Sequence, residues 1–178
     1  MTVLGGIAHE GRVHLGADTA ETFGYQQFPV SSKLWRHGPM VFGGVGSTRE
    51  AQIVEHRLQL PERGNADLMR WLVNDFVDAI RTARREAGHE EKLTTGVERG
   101  PLLLFGAEGR LFTMDCAFAL SEHTEFAMGS GAAEALGSLH TSGQYAIGVQ
   151  SRLTLALQAA CAHNIYCAPP FTYLSTPK

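Results

Sequence analysis

TVLGGIAHEGRVHLGAD, residues 2–18, is two apolar stretches of seven residues each around the tripeptide HEG. Separated by that turn, 2–8 and 12–18 read as an antiparallel hairpin whose glycines allow other backbone to approach closely. Further along, PMVFGGVG (39–46) reads as another strand running into a glycine-rich turn, and it ends at a strong helix start. In STRE (47–50), Ser47 and Glu50 have capping-box spacing, so each can satisfy a backbone donor left orphaned at a helix N-terminus. Ala51, Val54 and Leu58 continue a helical stripe until Pro61 stops it.

A second helix is expected from Asp67, with Leu68, Leu72, Phe76, Ala79 and Ala83 on its buried face and Gly88 as its C-terminal stop. The mixed-charge run RTARREAGHEEK (81–92) that finishes it reads as a solvated helix end with i, i+4 pairs. Strands return in PLLLFG (101–106) and RLFTMD (110–115), joined by a tight AEG turn, and again in TEFAMG (124–129). Two helices are expected over 132–140 and 147–163, and FTYLS (171–175) closes the chain as an extended tail behind Pro169 and Pro170. The order is strands, two helices, strands, two helices. Segregated runs of this kind point to an α+β fold of two antiparallel sheets packed face to face, with a helix pair outside each. No linker, low-complexity segment or repeat divides the chain, so 1–178 is expected to form one domain.

Composition excludes several classes. At 44% hydrophobic and 19% charged residues the chain can bury a substantial core, and a net charge of −3 gives no electrostatic footprint for nucleic acid. No apolar run approaches the roughly 20 residues that span a bilayer, and the start lacks a basic n-region and a long h-region, so a cytoplasmic protein without membrane contact is expected. Cys116, Cys161 and Cys167 form no C-x-x-C pair and read as buried thiols, while the eight histidines are scattered without i, i+4 helical spacing. Neither a metal site nor a cofactor is expected.

Thr2 is the residue with chemistry to offer. A small second residue permits removal of Met1, which would put a hydroxyl nucleophile and a free amine in one residue. Taken singly the other polar candidates are ordinary: Asp18 at a strand end reads as a turn or cap, Lys33 as a solvated charge, and Ser130 between glycines as a helix N-cap.

With Thr2, Asp18 and Lys33 in view, the sequence resembles the proteasome β-subunit family, and within it the bacterial HslV-type peptidase subunits or a divergent bacterial proteasome homologue. TVLGGIAHEGRVHLGADTAETFG (2–24) follows that family's opening, SKLWR (32–36) its lysine-plus-apolar segment, VFGGVGST (41–48) its glycine turn before the first helix, and AMGSGAAEAL (127–136) its Gly-Ser-Gly. The resemblance implies a four-layer αββα sandwich, the N-terminal nucleophile hydrolase fold, assembled as homo-oligomeric stacked rings around a chamber. It also implies hydrolysis of peptide bonds in unfolded polypeptides, with Thr2 attacking and its α-amine taking the proton.

By the same resemblance Lys33 is the cation beside the hydroxyl, Asp18 holds that lysine, the backbone N–H of Gly43 receives the oxyanion, and Ser130 bonds the Thr2 amine. Thr22 pairs with an extended substrate, and Val41 and Val45 lie near the specificity pocket. The G-x-x-x-x-G-K-[ST] pattern is missing, so an unfolding ATPase would be a separate partner protein.

Departures from the family pattern are equally specific. Lys33 arrives one residue early, which implies a shortened loop within YQQFPVSS (25–32); Val3 replaces a second threonine; and CAHNIYCAPPF (161–171) lacks the family's aspartate and Ser-Gly-Gly, its IY being closer to the HslV branch. A retained Met1 would cap the amine. Two other readings therefore stand beside the peptidase: a small-molecule amidase using the same nucleophile, and a ring-forming scaffold without activity.

Overall fold

The tight turn at the start works because Glu10 and Gly11 both adopt positive φ, 48° and 69°, the type I′ geometry whose twist matches paired strands. It joins β1 (Val3–His9) to β2 (Arg12–Asp18) in register, Leu4 opposite Ala17 and His9 opposite Arg12. The computed structural model describes residues 2–23, 25–30, 32–89, 91–92 and 98–177. A hairpin that the sequence patterns do not announce follows, β3 (Ala20–Phe23) against β4 (Gln26–Pro29), and then the short β5 (Leu34–His37) pairs with β6 (Met40–Val45). The helix that Ser47 caps is α1 (Thr48–Arg57).

The expected second helix forms in three pieces: α2 (Leu68–Trp71), capped by Asp67, then a π-helical turn over Leu72–Phe76, then α3 (Val77–Glu86). The wider turn consumes an extra residue. The buried stripe accordingly moves on by one after Phe76, to Val77, Ile80, Ala83 and Arg84, and leaves Ala79 only half-buried. Beyond it lie the two-residue strands β7 (Glu91–Lys92) and β8 (Glu98–Arg99), then β9 (Leu102–Ala107), β10 (Arg110–Met114), the polar edge strand β11 (Leu120–His123) and β12 (Glu125–Gly129). Helices α4 (Ala132–Ser142) and α5 (Val149–His163) and strand β13 (Phe171–Ser175) complete the chain.

Besides the two-stranded pairs β3-β4 and β7-β8, two large antiparallel sheets result among the described residues, with strand orders β12-β1-β2-β13 and β11-β10-β9-β6-β5. Strand alternation then makes three apolar layers. Leu4, Val13, Leu15, Val41 and Leu104 meet between the sheets; Val3 and Ile7 point the other way, against Leu153 and Leu157 of α5; and Phe42, Phe76, Phe105 and Phe112 pack under α1 and α3. Gly106 lets the sheets close: a Cβ there would stand 2.5 Å from the Cβ of Val13. The architecture is the expected αββα sandwich.

The mixed-charge run at the end of α3 is not simply a solvated face. Arg84 is fully buried, its Nε 2.9 Å from Glu50 Oε2 and its Nη1 2.6 Å from Glu98 Oε1, and it also donates to the Arg99 carbonyl. Glu50 is turned inward by this guanidinium. Ser47 Oγ accepts from the Glu50 amide at 3.3 Å, so half of the capping box forms, while the glutamate carboxylate goes to Arg84 and to His89 Nε2 at 3.1 Å. A buried charge must be paired, and a stripe analysis of one helix cannot see a partner supplied by another.

Candidate active site

Thr2 stands just ahead of β1, buried to 5% exposure. Pairing of β1 with β2 brings Asp18, the last residue of β2 and without exposed surface, beside it: Thr2 Oγ1 donates to Asp18 Oδ1 at 2.6 Å and the Val3 amide to the same oxygen at 2.9 Å. Lys33 arrives from the other sheet. Its backbone is tied to β6 by the Gly44 amide, 3.4 Å from the Lys33 carbonyl, and its Nζ donates to Thr2 Oγ1 (2.5 Å), Asp18 Oδ1 (2.8 Å) and the Ala20 carbonyl (2.5 Å).

The other Asp18 oxygen accepts from the amides of Ala20 (3.2 Å) and Ala168 (3.4 Å). A carboxylate this deeply buried is stabilised only by such a set of donors. In turn it fixes the lysine cation against the threonine hydroxyl, an arrangement that favours the deprotonated alkoxide.

On the far side of Thr2, its carbonyl accepts from Ser130 Oγ (3.2 Å) and the Gly131 amide (3.5 Å). Ser130 is thus no helix cap: Gly131 occupies the N-cap position of α4, and the serine hydroxyl faces the carbonyl of Thr2. Gly129 sits at φ 101°, and a Cβ there would run into the Thr2 carbonyl. Asn164 Nδ2 donates to the Ser130 carbonyl at 2.6 Å, and Cys167 Sγ lies 3.8 Å from Ser130 Oγ. Burial pushes the Cys167 thiol pKa up, and raises that of Cys161 to about 11, so both stay protonated thiols at neutral pH.

Thr2 and Lys33 open into a cavity of about 460 Å³, whose walls include Gly44, Val45, Gly46 and Ser47. Of the expected site residues, Asp18, Ser130, Thr22, Val41 and Gly43 do not line it. Gly43 is held between β5 and β9, where a Cβ would stand 2.9 Å from both Leu4 and Leu34, and Val41 belongs to the core between the sheets. Gly43 pairs with Leu34 on one side and Leu104 on the other, inside the sheet rather than at the end of β6 where the cavity lies. Val45 does line the cavity, together with Gly46, which sits at φ 87°. Thr22 lies in β3 opposite Gln27, with its neighbour Glu21 at the cavity wall.

Asn164 and the Ala168 amide went unread in the sequence. Backbone donors carry no sequence signal, and the asparagine lies in a segment, 161–171, that departs from the family pattern. Among the described residues no group of three or more His, Cys, Asp and Glu could hold a metal ion, and no helix is long and apolar enough to cross a membrane.

No protein-family model and no curated protein matches the chain. Solved structures do. The BPH of Thiobacillus denitrificans in complex with epoxomicin superposes with a TM-score of 0.82 at 19% identity, covering 98% of both chains. HslV from Trypanosoma brucei gives 0.74 at 18% identity, again over 98% of each chain, and the Anbu Gly-1 mutant from Hyphomicrobium sp. strain MC1 gives 0.69 at 18% over 97% of this chain and 80% of that one. The fold is that of the proteasome-type N-terminal nucleophile hydrolases.

Proposed function

We propose that this chain is a threonine peptidase subunit that hydrolyses peptide bonds of unfolded polypeptides within homo-oligomeric stacked rings, with Thr2 as nucleophile once Met1 has been removed. The observation that carries the reading is the Lys33 ammonium held 2.5 Å from the Thr2 hydroxyl oxygen and 2.8 Å from buried Asp18. A solvated lysine has no need of a buried carboxylate and a threonine hydroxyl together.

In this mechanism Thr2 Oγ1 attacks the scissile carbonyl and its proton passes to the Thr2 α-amine, whose ordinary pKa of about 7.7 to 8.0 suits a base at neutral pH. Lys33 stabilises the developing alkoxide, and Asp18 keeps Lys33 aimed. The oxyanion meets the backbone at Gly46 and Ser47, where the positive end of α1 also favours negative charge. Collapse breaks the C–N bond and the amine product leaves with the proton held by the α-ammonium. Water, deprotonated by the same amine, then hydrolyses the ester and restores Thr2. Ser130 acts by holding the Thr2 carbonyl, which fixes the residue's orientation.

Further support comes from the neighbour of the same fold solved in complex with epoxomicin. An epoxyketone closes its ring on a hydroxyl and an adjacent free amine, the pair a processed Thr2 would present. The deciding experiment is intact-protein mass spectrometry before and after incubation with a peptide epoxyketone, alongside Thr2→Ala. Loss of the methionine mass with one adduct, absent in Thr2→Ala, is expected. Retained methionine without adduct would select the inactive scaffold instead, and turnover of small amides but not peptides the amidase. An unfolding ATPase would be a separate protein, found by its stimulation of protein but not short-peptide hydrolysis.

A further inference from the structure

The cavity beside Thr2 has a direction. Lys33 Nζ bonds the Ala20 carbonyl, and the next residue, Glu21, accepts from Thr48 Oγ1 at 2.7 Å, so the nucleophile sits at the N-terminal end of α1. From there Thr48, Ala51, Gln52 and Glu55 line the cavity. Their spacing, i, i+3, i+4 and i+7, is one face of the helix, and seven residues advance about 10 Å along it. Glu55 therefore lies at the end away from Thr2, a distance that only a long side chain can cover.

Charge and wall chemistry agree on what that side chain is. The charged groups facing the cavity are Glu21, Glu55 and Lys33, with His56 beside Glu55, its Nε2 3.6 Å from Glu55 Oε2. The lysine charge is already offset by Asp18 at 2.8 Å. What remains is carboxylate. The walls also carry Val30, Trp35, Val45 and Ala51, apolar surface suited to an aliphatic stem, alongside the uncharged polar Ser32 and Gln52.

We propose that the cavity selects substrates with arginine or lysine immediately before the scissile bond, with Glu55 receiving the cationic head; this rests on the peptidase reading above. Arginine is favoured over lysine, because its planar fork can engage the Glu55 carboxylate through two parallel hydrogen bonds. The Glu55 side chain retains 40% of its surface, so it is available to a ligand.

The test is a panel of fluorogenic peptide amides identical except for arginine, lysine, leucine or glutamate before the scissile bond, assayed by kcat/KM with the assembled protein. Arginine is expected to exceed leucine by about tenfold or more, the range of one charge-assisted contact. Glu55→Gln should lower the arginine-to-leucine ratio about tenfold, and Glu55→Lys should shift preference toward glutamate. A merely structural role for Glu55 would lower all four rates together and leave the ratios alone. Preference for leucine or glutamate in the wild type, or an unchanged ratio in Glu55→Gln, overturns the assignment while leaving the peptidase reading standing. Absence of turnover across the whole panel, with no epoxyketone adduct, overturns both.

Discussion

Lys33 Nζ lies 2.5 Å from Thr2 Oγ1, although the two residues are 31 positions apart and stand just ahead of strands in opposite sheets, β5 and β1. The contact sets the cation where a threonine alkoxide would form, and it leads to the first prediction. Lys33→Ala should lower kcat/KM for peptide hydrolysis by about 10²-fold or more, the scale of losing one preorganised electrostatic contact. Lys33→Arg should not rescue it, because a guanidinium is too broad for the gap between Thr2, Asp18 and the Ala20 carbonyl. Near-normal rates in either variant would remove Lys33 from the mechanism.

Gly129 presses on the Thr2 carbonyl at a φ of 101°. Gly129→Ala would strain the backbone and push Thr2 away from Asp18, costing at least about 1 kcal/mol of stability. Epoxyketone modification should be lost at temperatures where circular dichroism still reports a folded protein. Full modification of the variant would show that the end of β12 yields without moving Thr2.

Arg84 and Glu50 form a charge pair away from solvent, 0% and 6% exposed. Removing Arg84 leaves the buried Glu50 with His89 Nε2 as its remaining contact, so Arg84→Met should destabilise the fold by about 3 kcal/mol in urea titration. Glu50→Gln added to it should recover a large part of the loss. Additive losses in the double variant would mean that packing, not charge, dominates the site.

Two histidines make stability depend on pH. Burial lowers the pKa of His14, helped by Arg12 and His9, and burial lowers that of His123 against a smaller opposing effect from Glu122. The unfolded chain then binds protons that the folded one refuses, so stability falls as pH drops from the ordinary histidine value, about 6.5, through the lowered folded values. Below them the loss is complete and constant. In urea midpoints measured from pH 7.5 to 5, His14→Gln and His123→Gln should each flatten part of the decline, and an unchanged slope in both would exclude these groups as its source.

Local patterns determined much of this molecule. The HEG turn, the period-two strands, the Ser47 cap and the segregation of strands from helices are all written within a few residues of one another, because twist, alternation and capping are short-range effects. The pairing of Arg84 with Glu50 and Glu98, the burial of Val41 and Gly43 between and within the sheets, and the donation of the Ala168 amide to Asp18 were decided only when the sheets stacked and the helices docked. A one-residue change of strand face or one extra residue in a π-turn redirects every later side chain, and neither leaves a mark in composition. Local sequence settled the first hairpin, the capped helix and most of the longer strands and helices; the stacking of two sheets decided which of their side chains would meet.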